Sequence, residues 1–114
     1  MASKALAILT TLAAALAVAV TAPAATSVNR LTATDGPGFT ITMSKKSVRH
    51  GVYVITVKDR SAIHNFHLIG PGLNKKTGVA AVKTYTWKVT LKKGTYRFVC
   101  DPHATIMKGT LKVT

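Results

Sequence analysis

The sequence has very few acidic residues and only one cysteine. It contains no Glu and three Asp, against 16 Lys and Arg, in 114 residues. A single cysteine cannot form a disulfide within the chain, so it is an intermolecular bridge, a free thiol or a metal ligand. The formal net charge of +13 would suit nucleic acid, an anionic envelope surface or an acidic protein partner. The charge by itself therefore selects no function.

The sequence also lacks any stretch of helical spacing after residue 25. It shows short β-prone runs, several of them alternating with period two, which are separated by turn residues. The turn at Lys92-Lys93-Gly94 is typical of a hairpin between two strands. Evenly spaced short strands predict an all-β domain, an antiparallel sandwich or barrel. The predicted strands cover residues 39–43, 51–57, 63–68, 84–91, 95–99 and 108–113.

The first 24 residues have the three parts of a secretory signal peptide. Lys4 lies in a basic start, residues 5–20 are almost entirely apolar, and Ala22-Pro23-Ala24 is a small-x-small cleavage site. The apolar run is shorter than the roughly 20 residues that span a bilayer, so we expect cleavage rather than an uncleaved anchor. Export places the protein in the periplasm, the cell envelope or the extracellular space, and argues against nucleic acid as partner.

After the predicted signal, residues 25–35 are small and polar, which favours a flexible N-terminal tether. The folded domain is then expected over residues 36–114. Removal of Lys4 with the signal leaves 15 basic and three acidic residues, a net charge of +12. Lysines alternate with apolar residues along the predicted strands, as on the solvent-exposed face of a sheet.

The last 20 residues carry the chemistry. A predicted strand ends at Cys100, a short loop presents His103 and Met107, and another strand follows at once. A thiolate and a thioether favour copper, imidazole suits copper or zinc, and a weak axial Met beside one Cys and two His is an electron-transfer copper arrangement. The second histidine has to come from elsewhere, and residues 61–68 supply two candidates, His64 and His67.

These residues resemble those of the cupredoxin family of blue copper proteins. In that family the first ligand is a His followed by Asn, as in His64-Asn65, and a Cys-x-x-His loop precedes the last strand, as in Cys100 to His103. The resemblance covers Phe39 to the C-terminus and implies a Greek-key sandwich. It implies one type 1 copper held by His64, Cys100, His103 and Met107, with Asn65 bracing the cysteine loop. His67 is then a surface or supporting residue, and we expect His50, in a turn, to be exposed.

The resemblance implies a protein that carries single electrons as copper cycles between Cu(I) and Cu(II), and not an enzyme. Electrons would pass through His103, amid an apolar patch formed by Pro102, Ala104, Ile106 and Ile63. We expect a monomer that docks transiently with acidic redox proteins, with association to an anionic envelope as a further option. The alternative function is copper storage or delivery without electron transfer. A nucleophilic Cys-His pair is disfavoured, because the loop offers no helix N-terminus to activate the thiol.

Overall fold

The computed structural model describes residues 2–114, and it is built from short strands. Residues 2–28 form neither helix nor strand, and among residues 2–114 no helix is long and apolar enough to cross a membrane. The elements are β1 (Asn29–Asp35), β2 (Ile41–Met43), β3 (Ser47–Val48), β4 (Gly51–Asp59), β5 (His67–Gly70), β6 (Leu73–Lys76), β7 (Thr84–Leu91), β8 (Gly94–Val99), a 3-10 helix (Asp101–His103) and β9 (Lys108–Val113).

The strands form two sheets. Their orders are β2-β1-β4-β7 and β3-β9-β8-β5-β6. The all-β prediction is confirmed, and most neighbouring strands are antiparallel. Two pairs are parallel instead, because β1 runs alongside β4 and β3 alongside β9.

Two local predictions are wrong. The predicted tether 25–35 extends too far, because residues 29–35 are β1, which lies between β2 and β4. The turn at Lys92-Lys93-Gly94 is not a hairpin, because β7 and β8 belong to different sheets. Turn residues indicate that the chain reverses, but the sheet that the next strand joins depends on long-range packing.

The core lies between the sheets, where alternate residues of the longer strands β1, β4, β7, β8 and β9 are buried. Ile55 and Val57 of β4, Trp87 of β7 and Phe98 of β8 are among these side chains. Phe66 stacks on Phe98 with ring centroids 5.7 Å apart. The period-two pattern in the sequence therefore matches the pattern of burial. This is expected when two sheets pack face to face and each buries one of its faces.

Tyr96 ties two turns together at one end of the sandwich. Its side chain is buried, and its hydroxyl donates to the Pro71 carbonyl (2.6 Å) and accepts from the Lys92 amide (2.9 Å). This joins the β5–β6 turn to the crossing from β7 to β8. With these connections fixed, β8 delivers Cys100 to the other end of the sandwich.

Candidate metal centre

Cys100 is held at the start of a loop that closes on itself. Its amide donates to the Met107 carbonyl (3.0 Å), and the Met107 amide donates to the His103 carbonyl (2.8 Å). Pro102 lies in the 3-10 turn, and the His103 amide donates to the Cys100 carbonyl (3.1 Å). The loop therefore has a defined shape before any metal binds. β8 and β9 fix its two ends by antiparallel pairing.

His64 comes from the connection between β4 and β5, on the opposite side of the site. Its side chain is fully buried, and a Cβ atom at Gly36 would lie 3.3 Å from its Cδ2. Gly36 has a φ of +66°, a conformation that favours glycine. The turn after β1 therefore packs directly against the His64 ring.

Three side chains direct their donor atoms at one point. The Nδ1 atoms of His64 and His103 lie 3.0 Å apart, and the Cys100 sulfur lies 3.7 Å from the first and 3.5 Å from the second. All three donor atoms lie within 4.8 Å of one another. Two imidazoles and a thiol that face each other in this way offer their lone pairs to a single cation, and the thiolate among them favours copper.

Met107 adjoins this cluster through the chain. Its side chain is fully buried, and its backbone bonds both to Cys100 and to His103. The structure thus brings His64, Cys100 and His103 together and places Met107 at the base of the same loop. The assignment of the four residues as ligands stays a prediction.

Phe39 is a site residue that sequence reasoning missed. Its ring packs edge-on against both histidines, with centroids 5.1 Å from His64 and 5.0 Å from His103. Phe39 is 57% exposed and His64 is fully buried, so the Phe39 ring lies between solvent and the edge of His64 that it contacts. Its only signal in the sequence is an aromatic residue directly after the turn Gly36-Pro37-Gly38, which is too weak to place it near residues far along the chain.

Asn65 braces the two halves of the site. Its side-chain amide donates to the Asp101 carboxylate (2.8 Å), and its side-chain carbonyl accepts from the Asp101 amide (2.8 Å). Its backbone amide lies 3.5 Å from the Cys100 sulfur. Thr77, also missed from sequence, supports this segment by accepting from the Phe66 amide through its hydroxyl (2.9 Å) and from the Asn65 side chain through its carbonyl (3.3 Å).

The other two histidines lie outside the cluster. His67 contacts Asp101 and Asn74 through its two ring nitrogens. His50 is exposed, and it lies beside the residue that follows β9. Its Nδ1 is 2.9 Å from the Thr114 carbonyl. Of the two upstream candidates, it is therefore His64 that lies with Cys100 and His103.

The rim of the site is apolar. His103 is half-buried, Ile63 is 55% exposed and Ile106 is 64% exposed. Pro102 and Ala104 are exposed as well. Phe39 packs against His103, and Pro102 and Ala104 are the neighbours of His103 in the chain; we call these five residues (Phe39, Ile63, Pro102, Ala104 and Ile106) the apolar rim.

A protein-family comparison matches residues 17–114 to the copper binding proteins of the plastocyanin/azurin family. The chain therefore belongs to this family. A thiolate and two imidazoles within 4.8 Å fit the group that the family binds, one type 1 copper. None of the curated proteins compared with the chain matches it.

Solved structures share the fold at low sequence identity. A rusticyanin mutant is 20% identical, with a TM-score of 0.57 over 75% of this chain and 76% of that one. Reduced auracyanin from Roseiflexus castenholzii is 21% identical, with a TM-score of 0.54 over 77% of this chain and 98% of that one. A chain of a heme-copper terminal oxidase dimer is 19% identical, with a TM-score of 0.54; the match covers 75% of this chain and 65% of the oxidase chain.

Proposed function

We propose that this protein is an exported electron carrier, in which His64, Cys100, His103 and Met107 hold one type 1 copper. The observation that carries the proposal is the convergence of two imidazole Nδ1 atoms and a thiol within 4.8 Å. Bound copper supplies one-electron chemistry, by cycling between Cu(I) and Cu(II).

The ligands are held by bonds that do not depend on the metal. The loop is closed between Cys100 and Met107, and Asn65 clasps Asp101 from the other side. Ligands fixed in this way move little when the charge at the site changes, which keeps the cost of each electron transfer low. Such outer hydrogen bonds also orient the ligands.

The four proposed ligands would occupy the coordination positions of the copper, which supports a carrier and not an enzyme. His64, Cys100 and Met107 are fully buried, so a bound molecule has no path to the metal from their side. His103 is the one member of the set with an edge at the surface, and electrons would pass through that edge. The apolar rim around it is suited to brief docking over a small area.

The partners would be acidic redox proteins. Asp35 and Asp59 are buried, and Asp101 is hydrogen-bonded to His67 and Asn65. The few carboxylates of the chain are thus drawn into internal contacts, while the many Lys and Arg side chains remain to set the surface potential. A strongly positive surface speeds encounter with negatively charged partners, and its self-repulsion favours a monomer.

The test is the optical and electron paramagnetic resonance spectrum of the chain after Cu(II) is added, beside Cys100→Ser and the control His50→Ala. We expect an intense thiolate-to-copper band that reductant bleaches reversibly, that is lost in Cys100→Ser and kept in His50→Ala. An ordinary Cu(II) spectrum that Cys100→Ser leaves unchanged would contradict the proposal. A copper-thiolate band that no redox protein can reduce or oxidise would instead favour storage or delivery of copper.

A further inference from the structure

His67 does not contact the proposed copper ligands directly. It contacts Asp101, the residue that follows Cys100. Its Nδ1 lies 2.8 Å from Oδ1 of Asp101, and its Nε2 lies 2.6 Å from the side-chain oxygen of Asn74. A carboxylate oxygen only accepts hydrogen bonds, so Nδ1 carries a hydrogen and donates it to Asp101. The His67 side chain is 13% exposed, and β5 fixes its backbone between β6 and β8.

Asp101 is occupied on both sides. One carboxylate oxygen receives the His67 hydrogen bond, and the other receives the Asn65 side-chain amide at 2.8 Å. The Asp101 backbone amide is occupied too, since it donates to the Asn65 side-chain oxygen (2.8 Å). The carboxyl group next in the chain to Cys100 is therefore held in one orientation.

We propose that His67 is a positioning residue for the metal centre: its Nδ1–H fixes and partly neutralises the Asp101 carboxylate, and Asp101 in turn holds Asn65 against Cys100. The part concerning copper rests on the proposed function. The part concerning the loop rests only on the contacts of the chain itself, which exist without a metal.

Two consequences follow from simple electrostatics and geometry. Without His67, the Asp101 carboxylate keeps its negative charge close to the site and loses a donor, which stabilises Cu(II) relative to Cu(I). The Asp101 side chain also gains freedom to rotate. The hydrogen bond from the Asp101 backbone amide to the Asn65 side chain should then open more often. The first effect lowers the reduction potential, and the second loosens the loop even in the metal-free protein.

The two ring nitrogens of His67 can be tested separately with amides. In His67→Asn the amide nitrogen can occupy the position of Nδ1, so the donor to Asp101 is kept and the contact to Asn74 is lost. In His67→Gln the longer side chain reaches the position of Nε2 and leaves Asp101 without its donor. His50→Gln is the matched control, since His50 lies away from the site and bonds to the Thr114 carbonyl.

The first readout is hydrogen exchange at the Asp101 amide in the metal-free full chain. We expect faster exchange in His67→Gln and exchange near wild type in His67→Asn and His50→Gln. The second readout is the copper-loaded chain, in which His67→Gln should have a lower reduction potential.

Equal behaviour of His67→Asn and His67→Gln would overturn the proposal, because the Nδ1 contact would then have no separate role. Wild-type exchange and potential in both would overturn it as well. The exchange experiment needs no copper, so it stays informative if the copper spectrum refutes the proposed function. In that case only the potential measurement would lose its meaning.

Discussion

Asp35 and Asp59 lie side by side, as paired residues at the ends of the parallel strands β1 and β4. Both are buried, and Asp59 accepts from the Thr77 hydroxyl and the Ser61 amide, each at 3.3 Å. Neither Asp35 oxygen has a hydrogen-bond donor among residues 2–114. We infer that the two carboxyls share one proton, which gives Asp35 a hydrogen bond with Asp59. Burial, then the hydrogen bond with Asp59 and its charge, raise the pKa of Asp35 from 3.8 to about 7.

This pair predicts that the metal-free protein loses stability as the pH rises from about 4 to about 7. The folded state holds the Asp35 proton more tightly than the unfolded state, so folding is favoured where that proton is bound. The contribution is complete below pH 3.8 and is lost as the pH passes about 7. Its full size is on the order of 4 kcal/mol. Urea unfolding midpoints at pH 5 and pH 8 measure it.

Asp35→Asn is the matched variant, because an amide imitates the protonated carboxyl in shape. We expect the difference between the pH 5 and pH 8 midpoints to shrink in this variant. Comparison with wild type removes the effect of every other group that changes charge between these two pH values. An equal difference in both proteins would show that Asp35 does not hold the extra proton.

Substitution by alanine should destabilise the protein at Gly36 and have almost no effect at Gly38. A Cβ at Gly36 would lie 2.8 Å from the Ser61 Cβ, and the φ of +66° strains any other residue. At Gly38 a Cβ would meet no described atom within 4 Å. We expect Gly36→Ala to lower the free energy of unfolding by about 1–3 kcal/mol and to weaken copper binding through His64. Gly38→Ala should change neither by more than about 0.5 kcal/mol, and similar losses in both would refute this account.

Phe39 is predicted to retain the metal rather than to stabilise the fold. Its exposed ring makes two edge contacts, each worth about 0.5–1.5 kcal/mol, so Phe39→Ala should destabilise the protein only modestly. The larger effect should be on copper retention. A chelator should remove copper faster from the variant, because water and chelator then reach His64 and more of His103. Ile106→Ala is the control, since Ile106 is exposed to a similar degree (64% against 57%). Identical copper release in the two variants would contradict the prediction.

The positive surface predicts a characteristic response to salt. The rate constant for reduction by an acidic redox protein should fall as ionic strength rises, because the Debye length shrinks from about 30 Å at 0.01 M to about 8 Å at 0.15 M. A basic redox protein should show a slower reaction that salt accelerates. Stopped-flow kinetics at several salt concentrations measure both. Rates that do not respond to salt would argue against steering by charge.

The predicted signal can be tested with two arginine substitutions. Leu12→Arg interrupts the apolar run and should keep the protein inside the cell, whereas Val28→Arg lies beyond the predicted cleavage site and should be exported normally. The exported protein should begin at Ala25, which N-terminal sequencing determines. An exported Leu12→Arg protein, or an exported chain that still begins with the signal, would contradict this interpretation.

The sequence by itself determined the class of fold and the chemistry of the site. Alternation of apolar residues depends only on local chain geometry, so the runs at residues 84–91 and 108–113 match β7 and β9. Cys100, His103 and Met107 lie within one short loop, and nearby residues in a loop between paired strands must stay near each other. The need for a second histidine made His64 and His67 candidates, and the choice of His64 rested on its resemblance to a family pattern.

Tertiary structure alone decided the contacts between distant segments. The parallel pairing of β1 with β4, the passage of residues 92–94 from one sheet to the other, and the packing of Phe39 on His64 and His103 all join parts of the chain far apart in sequence. The same is true of Asp35 beside Asp59 and of His67 beside Asp101. Such pairs depend on how two whole sheets pack, and no periodicity or short motif encodes that arrangement.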